Sequence, residues 1–170
     1  MIGLIILGVI VILLAVFLIS AYNSLVQLRQ RVQNAWAQVD VQLKRRYDLI
    51  PNLVGAVKGY AQHEKSTLES VTQARNMAMN AGNIQEQMKA ENMLSGALRS
   101  LFAVAEAYPE LKANTNFMQL QSELTDTESK IAFARQFYND TVQKFNTKIE
   151  LFPTNLVAGM LGFAMVDYFN

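Results

Sequence analysis

Residues 2–21 read IGLIILGVIVILLAVFLISA, which is a run of twenty residues without a charge. Because a helix rises about 1.5 Å per residue, the run is about 30 Å long and is sufficient to cross a bilayer. A cleaved signal peptide would begin with a basic segment and would have a small residue in place of Ile19. The sequence therefore predicts a retained transmembrane anchor over residues 1–22. Residues of this span include Ile2, Leu4, Ile10, Leu14, Phe17 and Ala21.

Charge and cysteine content exclude several classes of site. Fifteen Lys and Arg stand against fourteen Asp and Glu, so no broad basic face for nucleic acid is expected. Cysteine is absent, which excludes disulfides, thiolate zinc sites and cysteine nucleophiles. The first basic residues, Arg29 and Arg31, follow the span and none precedes it. This asymmetry favours an external N-terminus and a cytoplasmic domain.

Helical periodicity continues beyond the anchor. Apolar residues recur at steps of three and four, as in an amphipathic helix. We expect one helix to run unbroken from the membrane to about Tyr47, with a turn at 48–51 marked by Asp48 and Pro51. The residues of this stripe are Leu25, Leu28, Val32, Trp36, Val39, Leu43, Tyr47 and Ile50.

Three further helices are predicted. The second includes Leu53 and ends at the turn-forming residues 80–83, the third covers about 84–107, and the fourth covers about 117–151 and stops at Pro153. No segment has the alternation of a strand. Four long segments with short connections predict an all-α fold, in which the transmembrane helix continues into an antiparallel up-and-down four-helix bundle over residues 23–153.

The C-terminal segment, residues 154–170, is apolar. It has no charge from Leu156 to Val166, yet that stretch is too short to span a bilayer. An interfacial position or packing between subunits is expected, and burial in the domain's own core is the alternative. The residues assigned to the membrane interface are Leu156, Met160, Phe163, Met165, Tyr168 and Phe169.

No pattern of catalytic or metal-ligating residues is found. His63 is the only histidine, and Thr67 occupies the position of the second histidine of a zinc-protease motif. A bundle often buries ion pairs that fix helix register, and we expect this role rather than acid–base chemistry for the charged residues of the facing helices. These residues are Glu91, Glu106, Glu123, Glu128, Arg99 and Arg135. Accordingly, no catalytic residue, metal or cofactor is predicted.

The strongest basic cluster is Lys44-Arg45-Arg46. On a straight helix it lies roughly 33 Å beyond the anchor, which is several times the Debye length of about 8 Å. Binding of lipid headgroups is therefore not expected. The cluster is either a solvated face or a contact with a neighbouring subunit or partner.

Several stretches of the amino-acid sequence resemble the LemA family. The matching stretches include RVQNAWAQVDVQLKRR at 31–46, DLIPNLV at 48–54, AYPELKAN at 107–114 and ARQFYN at 134–139. The resemblance covers residues 22 to about 158. It implies a bacterial protein of the inner (cytoplasmic) membrane with one N-terminal span and a four-helix domain, and it carries no catalytic residue or cofactor. A relative in magnetosome-forming bacteria is linked to membrane invagination, which suggests membrane organisation by analogy.

Three classes of function remain at this point. The first is a homo-oligomeric, non-enzymatic scaffold that organises or shapes the bacterial membrane. The second is an adaptor that presents a helical face to another membrane protein, such as a protease or a signalling partner. The third is an enzyme with an unfamiliar site around His63.

Overall fold

A computed structural model describes all 170 residues, and the chain is all-helical with no strand. This confirms the predicted all-α class and the long apolar N-terminal helix. The six helices are α1 (Ile2–Tyr60), α2 (Lys65–Met79), α3 (Ile84–Glu106), α4 (Pro109–Lys112), α5 (Thr115–Glu150) and α6 (Thr154–Leu161).

The chain divides into two compact units. The anchor unit consists of Met1–Ala37 and Phe137–Tyr168, and the second unit consists of Gln38–Gln136 with Phe169–Asn170. Helices α1 and α5 each contribute residues to both units.

Helix α1 is longer than predicted, because it continues through Pro51 to Tyr60. The turn expected at 48–51 is wrong. Proline removes the N–H that would bond to the carbonyl of Tyr47, but the Nε of Arg75 donates to that carbonyl at 2.8 Å. A donor from α2 thus replaces the missing backbone bond. Leu53 therefore belongs to α1, and α2 is a separate, shorter helix.

Local capping explains where α3 and α5 begin, which is close to the predicted positions. Asn83 accepts a bond from the N–H of Glu86 at 2.8 Å at the start of α3, as an N-cap residue does. Asn114 accepts from the N–H of Phe117 at 3.0 Å at the start of α5. Its amide also donates to the Tyr60 hydroxyl at 2.9 Å. The single-turn helix α4 was not predicted.

Each unit has its own apolar core. In the anchor unit, Trp36 and Tyr138 make an edge contact with ring centroids 5.3 Å apart. Burying one large apolar side chain stabilises a fold by about 1.5–3 kcal/mol, so the core residues supply much of the driving force. Fully buried residues include Leu25, Val142 and Phe145 in the anchor unit, and Leu43, Ile50, Leu53, Val71, Leu94, Leu101 and Leu124 in the second.

Candidate membrane-contact site and a buried ion network

The first part of α1 is exposed and apolar. It is the one helix long and apolar enough to cross a membrane, with a window of mean hydropathy 3.5 in which no residue is buried. All the predicted span residues from Ile2 to Leu14 are exposed. This single helix is compatible with a single-pass membrane protein.

Protein packing begins at the end of the apolar run. Ala21 and Leu25 are the first buried residues of α1. The ring of Tyr22 makes an edge contact with Phe163, with centroids 6.1 Å apart. The guanidinium of Arg29 lies 4.9 Å from the centroid of the same Phe163 ring. The C-terminal segment therefore contacts α1 where the apolar run ends.

The residues predicted at the membrane interface have different environments. Leu156, Met160, Met165 and Tyr168 are exposed, and Phe163 is half-buried. Phe169 is only 1% exposed, and its ring lies 5.4 Å from the Arg135 guanidinium in the second unit. The interfacial assignment of Phe169 is therefore wrong, because its ring is covered by protein.

The same surface includes apolar residues beyond the six assigned to the membrane interface from the sequence. Leu151, Phe152 and Leu161 are all exposed, Phe152 to 78%. The signal was present in the sequence, since no charge occurs anywhere from 151 to 166. Leu161 lies within the uncharged segment that begins at Leu156, whereas Leu151 and Phe152 directly follow α5.

Polar contacts hold the end of this segment against α5. The side-chain amide of Asn146 donates to the carbonyl of Val166 and accepts from its N–H, both at 2.9 Å. The Tyr138 hydroxyl donates to the carbonyl of Asp167, also at 2.9 Å. Burial, assisted by the Asp167 carboxylate, raises the pKa of Tyr138 to about 12. Residues 166–167 are thus fixed through their backbone, independently of side-chain type.

A buried ion network is the main polar feature of the second unit. Arg46 is almost fully buried. Its guanidinium donates to the carboxylate of Glu91, to Glu128 at 2.7 Å and to the Ser95 hydroxyl at 3.0 Å. Burial opposes the charge of Arg46, but the two carboxylates outweigh it and raise the pKa above its usual value.

Tyr47 extends this network. Its hydroxyl donates to Glu91 and accepts from the side-chain amide of Gln87 at 3.0 Å. Burial and the contact with the Glu91 carboxylate raise the pKa of Tyr47 well above its usual value. Three helices therefore meet at this network, because Arg46 and Tyr47 belong to α1, Glu91 to α3 and Glu128 to α5.

These contacts alter two sequence-based assignments. Arg46 is buried within its own chain, so it is not available for the predicted contact with a neighbouring subunit or partner. Of the basic cluster, only Lys44 and Arg45 remain as candidates for that contact. Lys44 binds Asp40 at 2.8 Å, and Arg45 lies 3.4 Å from Asp126. Ion pairs do form at Glu91 and Glu128, but with Arg46 rather than with Arg99 or Arg135. Arg46 could have been found from its spacing, which places it on the apolar stripe between Leu43 and Ile50.

The remaining candidate residues do not assemble into a reactive site. His63 is exposed, and Glu106 pairs with Lys112 at 2.7 Å on the surface. Arg99 is exposed, and Glu123 is half-buried. No group of three or more His, Asp or Glu side chains could hold a metal ion.

Comparison with known proteins identifies the family. The profile of the LemA family matches residues 35–170. The chain belongs to the LemA family. The matched region begins just before Trp36 and includes the whole second unit together with the C-terminal segment, whereas the apolar run at the N-terminus lies outside it.

Two kinds of relative are similar to this LemA-family chain over most of its length. Protein LemA of Metamycoplasma hominis is 30% identical over 152 residues, which cover 87% of this chain and 68% of the relative. Magnetosome protein MamQ of Magnetospirillum gryphiswaldense is 25% identical over 179 residues, with 90% and 66% covered. Two MamQ proteins of Paramagnetospirillum magneticum match equally well. The chain spans about two-thirds of the length of these relatives.

Proposed function

We propose that this LemA-family protein is a non-enzymatic scaffold, anchored by α1, that assembles with copies of itself at the bacterial inner membrane and organises that membrane. The observation that carries the proposal is the continuity of α1, which runs from Ile2 to Tyr60 without a break. The apolar anchor and a core-forming segment thus share one helix. Similarity to magnetosome proteins supports a role at a membrane.

We infer that the helical segments of the second unit form an antiparallel up-and-down four-helix bundle. The connections are short, with α1 and α2 separated by residues 61–64 and α2 and α3 by residues 80–83. Short connections favour antiparallel neighbours. The bonds from Arg46 to Glu91 and Glu128 supply the expected contact of α1 with α3 and α5.

Exposed aromatic residues of α5 support self-assembly. Phe133 is 75% exposed, and Phe137, four residues further on, is 54% exposed. Residues four apart lie on the same face of a helix, and an exposed apolar face suits a protein contact. The net charge of +1 gives little repulsion between copies. A second copy of the chain, held in the same membrane, is the occupant that we propose for this face.

Light scattering of the full chain in mild detergent tests the assembly. We expect a mass, corrected for detergent, that corresponds to several copies. The variant Phe133→Ser/Phe137→Ser should shift the protein towards monomer. The matched control is Met118→Ser, which changes another exposed apolar residue of α5 and should leave the mass unchanged. A monomeric wild-type protein would contradict the scaffold proposal.

Crosslinking in intact cells distinguishes the scaffold hypothesis from the adaptor hypothesis. Assembly predicts that most crosslinked peptides join two copies of this chain. Recovery of another membrane protein as the main crosslinked product, without self-crosslinks, would favour the adaptor instead.

A further inference from the structure

We propose that the chain makes a second contact with the bilayer, through an apolar surface around α6 that inserts into the interfacial layer of the membrane that α1 crosses. The proposal rests on membrane anchoring by α1 and adds a lipid-binding surface to it. We call this surface the α6 face, and it consists of Leu151, Phe152, Leu156, Met160, Leu161 and Met165.

After Thr154 and Asn155, helix α6 is apolar on both of its sides. Val157 and Ala158 are buried against the protein, whereas Leu156 and Met160 on the other side are exposed, Met160 to 79%. A helix that is apolar all round is usually enclosed on all sides, by protein or by lipid. The anchor unit covers only one side of α6, so the other side lacks a protein partner within the chain.

The α6 face lies at the level where α1 leaves the membrane. Tyr138 contacts Trp36, and α5 continues for about 18 Å from Tyr138 to its last residue, Glu150. Along α1, Tyr22 lies about 21 Å from Trp36 in the direction of the anchor. The contact of Phe163 with Tyr22 shows that the chain after α5 reaches this level. These distances place α6 beside the end of the apolar run.

The charge distribution favours lipid over a protein partner. No charge occurs from residue 151 to residue 166. Arg29, whose guanidinium packs over Phe163, supplies a cation close to this apolar surface, where it can attract anionic lipid headgroups. A protein covering the α6 face would itself have to lie among the headgroups. Continuity with the apolar surface of α1 therefore makes the bilayer the occupant that we propose.

The local backbone keeps the α6 face in place. Gly162 ends α6 with a positive φ of 75°, a conformation that glycine adopts without strain. The N–H of Phe163 then bonds to the carbonyl of Ala158 at 3.0 Å. Together with the clamp of Asn146 on Val166, this turn orients α6 before any lipid is bound.

Site-specific fluorescence tests the proposal, since the chain has no cysteine and one can be introduced at each chosen site. The full-length variants Met160→Cys, Met93→Cys and Ile10→Cys are labelled with an environment-sensitive dye and reconstituted in vesicles of phosphatidylcholine and phosphatidylglycerol. Met93 is an exposed methionine on α3 and serves as the aqueous control. Ile10 reports on the span.

The expected result is several-fold stronger quenching of the Met160 label than of the Met93 label by nitroxide lipids, with a blue-shifted emission. Quenching of the Met160 label by aqueous iodide alone would overturn the proposal. Protection from both quenchers, with energy transfer between labelled copies, would also overturn it and show that a second copy covers the face.

If the Ile10 label were accessible to iodide, membrane anchoring by α1 would itself be contradicted. Lipid quenching at Ile10 without quenching at Met160 would reject the α6 contact alone.

Discussion

At the scale of single residues, Arg46 is the basic residue of the second unit whose charge is almost fully buried. A buried charge is costly unless its partners replace the lost water, and Arg46 has such partners in Glu91, Glu128 and Ser95. The neighbouring Arg45 lies at the surface, 3.4 Å from Asp126. Two adjacent residues of the same type therefore have very different expected effects on stability.

We predict that Arg46→Met lowers the free energy of unfolding by about 3–5 kcal/mol, because Glu91 would remain buried without its cation. The matched control, Arg45→Met, should cost less than about 1 kcal/mol, as is usual for an exposed pair. Chemical unfolding of the detergent-solubilised full chain, followed by circular dichroism, measures both. Equal effects of the two substitutions would contradict the assigned network.

Tyr47 gives a prediction for alkaline pH. Its pKa is raised in the folded protein, so above about pH 10 the unfolded chain loses this proton while the folded chain keeps it. The contribution of Tyr47 to stability is therefore complete below pH 10 and is lost as the pH rises further. Tyr47→Phe should be less stable near neutral pH but should show a shallower decline from pH 10 to 11. Unfolding curves at several pH values test this, and parallel declines would contradict it.

At the scale of elements, the continuity of α1 depends on a side chain from another helix. Pro51 leaves the Tyr47 carbonyl without its usual backbone donor, and Arg75 of α2 supplies a replacement. The helix that contains the anchor thus extends to Tyr60 with the help of α2.

A double-mutant cycle tests this compensation. We expect Arg75→Met to cost about 1 kcal/mol in the wild-type protein, the usual value of one hydrogen bond. In a Pro51→Ala background the cost should be much smaller, because the N–H of the new alanine can bond to the Tyr47 carbonyl. Free energies of unfolding of the four proteins give the coupling. Equal costs in both backgrounds would show that the carbonyl does not depend on Arg75.

At the scale of the whole molecule, the positions of basic residues predict the orientation in the membrane. Arg29 and Arg31 follow the span closely, so we propose that the folded region after it is cytoplasmic and that the other side of the span is external. A reporter pair fused after Asn170, with alkaline phosphatase active outside and a fluorescent protein fluorescent inside, should report a cytoplasmic position. Phosphatase activity would contradict the charge argument.

Features that depend on residues close in the chain could be predicted from the sequence alone. Periodicity predicted the helices and the apolar span, and turn or capping residues such as Asn83 and Pro153 located helix ends, because a helix and its caps are built from residues close in the chain. For the candidate site, the lack of charge in the C-terminal segment marked it as a candidate membrane-contact surface, and Met160 of that segment is exposed in the structure.

Features whose partners are distant in the chain could not be predicted, because they depend on contacts between helices. Pro51 indicated a turn, but Arg75 allows the helix to continue. Arg46 read as part of a basic surface, yet Glu91 and Glu128 enclose it. Phe169 read as an interfacial aromatic, yet the second unit buries it. The free energy of a charge, an unpaired carbonyl or an aromatic ring depends on what surrounds it, and those surroundings come from other helices.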